Sequence, residues 1–173
     1  MSKNTKLILV KMTLLTGIAL WMLIIVLNNV TDPGTQIHLL SKMFGMDLFK
    51  DNPLAGQGLL SRAISWPPMA QITLVLVIIY EFLSVLLLWR AAFSYISFLR
   101  NKETNTEFTA IKHANIALSV LLFLWFFFMC GGLFFGYWIG MASVQTVHVH
   151  LIIVTLITSI IINVDVRSDP APN

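Results

Sequence analysis

The stretch Ala70–Trp89, AQITLVLVIIYEFLSVLLLW, decides the fold. It is apolar except for Gln71, Thr73, Tyr80, Glu81 and Ser84. As a helix rising about 1.5 Å per residue, it crosses the roughly 30 Å hydrocarbon core of a bilayer. Glu81 stands near its middle, where a carboxyl is costly and requires a partner, a proton or a function.

The rest of the chain matches this segment. Of its 173 residues 57% are hydrophobic and 11% charged. Soluble domains carry about 25% charged residues, so a water-facing surface is excluded. The length suits one small bundle, residues 1–173 as a single membrane domain, with no separate soluble domain. Cys130 is the single cysteine, which rules out an internal disulfide. The net charge of +3 is spread over the loops and points to topology rather than to nucleic acid.

Outward from residue 70, Trp66-Pro67-Pro68 marks re-entry into the membrane, with the indole at headgroup level and proline suited to a first helical turn. Before it, residues 31–69 are the longest polar stretch and form a loop. Ile37, Leu39, Leu40, Met43, Phe44 and Met46 recur there at helical spacing, predicting an amphipathic surface helix. Thr31 or Asp32 suits its cap, Asp51-Asn52-Pro53 a turn, and Leu59–Ser65 a further helical piece. A first span covers about residues 7–27. It is too long for a signal h-region and lacks a small-x-small cleavage pattern.

On the other side, residues 100–112, RNKETNTEFTAIK, read as a polar connecting loop, with Thr104 or Thr106 capping the next helix. The third span is placed at 113–137 and the fourth at 144–164, before a polar tail with two prolines. The expected fold class is all-α: a four-span transmembrane bundle with a partly helical extracytoplasmic loop. Lys3, Lys6, Lys11, Arg90, Arg100, Lys102, Lys112 and Arg167 lie on one side, against Lys42, Lys50 and Arg62 on the other. That bias assigns both termini to the cytoplasm.

Few residues offer chemistry. Glu81, with neighbouring Tyr80, fits a proton relay, an ion site, or a lipid or quinone headgroup contact. Its structural alternative is a neutral carboxyl bonded to Asn115, a Thr, a Ser or a backbone carbonyl. His148 and His150 are two apart, so a helix points them in different directions. A metal would need a third ligand, for which His38 is the candidate; a haem pair of His113 and His148 would lie near opposite surfaces. No metal and no cofactor is expected, only lipid contacts. Gly132, Gly136 and Gly140 form a G-x-x-x-G-x-x-x-G ladder that predicts close helix approach, within the bundle or against another subunit. Trp125-Phe126-Phe127-Phe128 reads as packing. No phosphate loop, dinucleotide fingerprint, CxxC or hydrolase elbow occurs.

Several features together resemble a family of small bacterial integral membrane proteins, domain-of-unknown-function family 2165. They are Asn28-Asn29-Val30-Thr31-Asp32, Met46-Asp47, Arg62-Ala63-Ile64 with Ser65 and Pro67, Tyr80-Glu81, and Trp125-Phe126 leading to Gly131-Gly132. The chain departs from the family's acidic, Trp-rich pattern at Leu133–Trp138. The resemblance implies four spans and no established activity. The leading functional expectation is a non-catalytic accessory subunit of a larger membrane complex, respiratory or monooxygenase in type, with other membrane subunits as partners. The alternatives are a small transporter or proton conductor using Glu81, and a quinone- or haem-binding redox subunit.

Overall fold

The computed structural model of the protein describes residues 3–50, 54–101 and 104–164. The turn expected at 51–53 and the tail from 165 onward lie outside them. Four helices are long and apolar enough to cross a membrane. They are α1 (Lys3–Thr31), α4 (Pro68–Asn101), α5 (Thr104–Phe134) and α7 (Ala142–Ile162). Between them lie α2 (Pro33–Phe44), α3 (Asp47–Lys50), a 3-10 turn at Gln57–Arg62, and the short α6 (Tyr137–Gly140). Among the described residues there is no strand.

The spans pack in the order α1, α4, α5, α7, and α7 returns to touch α1. The end where α1 begins and α7 finishes is called the foot; the end carrying residues 32–67 is the cap. At the foot, buried Lys11 donates to the carbonyls of Ile162 at 2.8 Å and Val164 at 2.7 Å. The last carbonyls of a helix lack intrahelical partners and carry its negative pole, so an ammonium is well placed there.

The connection at 100–112 is corrected by the structure. Helix α4 runs to Asn101 and α5 starts at Thr104, so most of that polar stretch is helix. Polar side chains do not oppose a helix that has one face to bury. Ala110, Ala114 and Ala117, three and four residues apart, are fully buried and lie in one core with Ala91 and Ala92 of α4. Small side chains there let helix backbones approach closely.

The glycine ladder is also corrected. α5 stops at Phe134, and Gly136 at φ +66° turns the chain into α6. The three glycines therefore do not share a stripe on one helix. They seat the cap instead: an added Cβ would meet the Leu59 and Phe49 side chains at 3.0 and 3.1 Å from Gly136, and Leu48 at 2.6 Å from Gly140. Gly132 faces Tyr137 at 3.3 Å.

The cap folds back onto the bundle. Asp32 accepts the Thr35 backbone N–H at 3.3 Å and starts α2, with Pro33 in its first turn. The apolar side of α2 packs on α4, and Phe44, Met46, Phe49, Ala70 and Phe135 form a second core. The Phe44 and Phe135 rings meet edge-on at 5.1 Å. Arg62 donates to the Phe134 carbonyl at 2.9 Å and lies 5.0 Å from that residue's ring centre, tying the cap to the end of α5.

Candidate functional site

Adjacent residues on a helix point about 100° apart, and Tyr80 and Glu81 illustrate the consequence. The Tyr80 hydroxyl donates to the Val120 carbonyl of α5 at 2.9 Å. Glu81 faces α1, where Asn29 Nδ2 donates to its Oε2 at 2.8 Å. Asn29, two residues before the end of α1, is the partner; Asn115 is not. Asn115 exchanges two amide hydrogen bonds with Asn163 of α7, at 3.0 and 2.9 Å. Asn163 is exposed and Asn115 half-buried.

Glu81 is 2% exposed to solvent, and among the described residues it takes part in no ion pair. Asn29 is its one hydrogen-bond partner among them. Its second oxygen is left for something else. Glu81 lies thirteen residues from Pro68, so α4 continues past the Asn29 contact for about 20 Å towards the cap. α2 packs against α4 and roofs the space that remains.

That space is a cavity of about 660 Å³, between the cap and the upper parts of α1, α4, α5 and α7. Small-molecule sites commonly enclose roughly 300–1,000 Å³ behind mostly apolar walls. Met43 and Phe44 form part of the α2 wall, Val77 part of α4, and Phe127, Phe128 and Phe135 line the chain across from them. Glu81 and Asn29 stand together in the wall, and among the described residues no Lys or Arg lines it. The other titratable groups facing the space are Cys130 of α5, Tyr137 of α6 and His148 of α7. Burial pushes the Tyr137 phenol above its ordinary range, so it remains neutral at physiological pH.

The histidines separate. His148 packs its ring 5.1 Å from Phe128 and 6.4 Å from Trp125. His150 and His38 are exposed, and His113 shares a 2.7 Å hydrogen bond with Ser94. Among the described residues no group of three or more potential ligands could hold a metal ion. The aromatic run divides as well: Trp125 is buried against the bundle, Phe126 and Phe127 are exposed, and Phe128 meets His148. The buried Trp125 indole N–H has no acceptor.

Sequence reasoning found Glu81 but missed Asn29 as its partner and missed the cavity. Asn29 carried a signal, being a polar residue at the end of an apolar span. The cavity carried none, because its walls come from six separate elements.

A family model described as a predicted small integral membrane protein, DUF2165, matches residues 7–165. The chain belongs to this family. No curated protein and no solved structure matches the DUF2165 chain. The family match spans Asn29, Glu81 and the whole wall of the cavity.

Proposed function

We propose that this DUF2165 protein is a non-catalytic membrane protein that binds a lipid-soluble small molecule in the cavity beneath its cap, as a receptor or small carrier would. The observation that carries this reading is the half-satisfied Glu81 carboxyl in the wall of a large apolar cavity. A buried polar group without its full set of partners is costly, and a ligand group can supply the missing one. The apolar wall suits a greasy body, and Glu81 with Asn29 suits a polar head.

This places the transporter-like alternative ahead of the accessory-subunit one. The subunit reading draws on a glycine ladder for docking to partner helices, and Gly136 and Gly140 instead meet the protein's own cap. Redox chemistry has less support, since His148 packs on Phe128, which lies about 22 Å along α5 from His113, too far for the two to share an iron. The eight-to-three basic bias supports a bacterial inner membrane with both termini cytoplasmic and the cap outside.

Cys130 tests the binding reading, being the single cysteine, exposed, and in the cavity wall. Its labelling by a small uncharged maleimide should slow when a fitting lipophile occupies the cavity. Gly131→Leu places a side chain at the cavity wall, where an added Cβ meets nothing within 4 Å. That variant should fold normally and lose the protection. Equal protection with and without the filled cavity would overturn the reading.

A further inference from the structure

Among the described residues the cavity wall holds one acid and no lysine or arginine, and that imbalance specifies a ligand. An ionised carboxylate in the low-dielectric wall of an apolar cleft requires a counter-charge, and where none exists the group takes a proton instead. Asn29 supplies one neutral donor to Glu81 Oε2 and leaves the other oxygen open. Among the described residues no lysine or arginine of α1, α2, α4, α5 or α6 lines the wall; Arg62 of the 3-10 turn sits over the Phe134 ring, and His148 is the titratable group from α7, but neither forms an ion pair with Glu81. Trp125, Phe127 and Phe128 of α5 line the same space, as do Phe44 and Phe135 towards the cap; the Phe134 ring is already covered by Arg62. Aromatic faces attract cations, more strongly when water is excluded. An acid and a set of rings sharing one apolar cavity match a single ligand class.

We infer that the cavity takes a lipophilic cation, a quaternary ammonium or phosphonium with bulky apolar groups, and that the cation replaces a proton on Glu81. This rests on the reading of the cavity as a ligand site and names its ligand class. The exchange balances. The Glu81 O–H bond breaks, the proton leaves to water, and the carboxylate pairs with the arriving cation. No net charge enters the enclosure, so binding avoids the cost of an unpaired ion. A neutral lipophile can occupy the same walls but neither releases a proton nor depends on the acid.

The test uses the full chain purified in detergent, with two probes of similar shape: tetraphenylphosphonium, and neutral triphenylphosphine oxide. Tetraphenylphosphonium should bind saturably, weaken as pH falls, and release a proton for each cation bound. Glu81→Gln keeps the size of the side chain and an oxygen for Asn29. It should weaken the cation by at least about tenfold and leave the neutral probe within about twofold, since only the cation loses a charge partner. Thermal unfolding of Glu81→Gln checks that the bundle is intact. His148→Gln should retain the pH dependence, which assigns it to Glu81.

Cation binding that is unchanged in Glu81→Gln, or that releases no proton, would overturn the inference. Binding of the neutral probe alone, blocked by Gly131→Leu, would also overturn it while leaving the cavity reading standing. Failure of both probes to bind or to protect Cys130 would remove both.

Discussion

The Lys11 ammonium donates to the Ile162 carbonyl at 2.8 Å, across 151 positions of the chain. It closes the foot of the bundle by joining the start of the first span to the end of the last. Its burial is complete, and two backbone oxygens help to hold the charge in place of water. Lys11→Met keeps the length of the side chain and removes the donor. It should cost about 1.5–3 kcal/mol, the usual range for hydrogen bonds to a charged group. Thermal unfolding in detergent measures this, and a change within error would show that the contact is not stabilising.

Asn29 and Glu81 form the corresponding tie at the other end of α1. Asn29→Leu removes the donor and leaves a buried carboxyl with no protein partner, for about 1–3 kcal/mol. Glu81→Gln keeps an amide oxygen for Asn29 and should cost less. The double variant should show a coupling energy of about 0.5–3 kcal/mol, as residues in direct contact do. Additive effects would mean that the two side chains do not interact.

Gly136 and Gly56 both lie in the left-handed region, at φ +66° and +75°, and both abut Phe49. Alanine at either should cost at least about 1–2 kcal/mol in backbone strain, and more where the new Cβ meets the ring. Gly131→Ala is the control, because nothing lies within 4 Å of its Cβ position. Limited proteolysis of residues 32–67 reports on the cap directly. Faster cleavage is expected in Gly136→Ala and Gly56→Ala, and an unchanged rate would mean that the cap is not seated this way.

Ala114 is fully buried on α5 in the core it shares with α4. Leucine there overpacks that core and should cost about 1–3 kcal/mol. Leucine at the half-buried Asn115 next to it removes the Asn163 amide pair and should cost about 0.5–1.5 kcal/mol. A smaller loss at Ala114 than at Asn115 would weaken the case for close α4–α5 packing.

How much of the molecule is legible in its residues depends on the kind of signal. Four long apolar runs announce four spans, because lipid permits only a structure that satisfies its own backbone. Asp32 announces α2 through its capping role, and Glu81 stands out as a carboxyl in an apolar run. The stretch 104–112 misleads because polarity suggests a loop, although Ala110, Ala114 and Ala117 keep a helical interval. The glycines mislead because a spacing of four assumes an unbroken helix. Gly136 instead ends α5, and a positive φ is a property of backbone context that spacing does not encode.

By itself the sequence determined that the chain lives in lipid, crosses it four times, and carries one carboxyl in the second span. Those are local properties of length, hydropathy and side-chain type. The tertiary structure alone decided that Glu81 meets Asn29 rather than Asn115, that the glycines seat a cap, and that an apolar cavity lies beneath it. Each of these depends on how far helices slide and rotate against one another, and that is fixed by packing across elements distant in sequence.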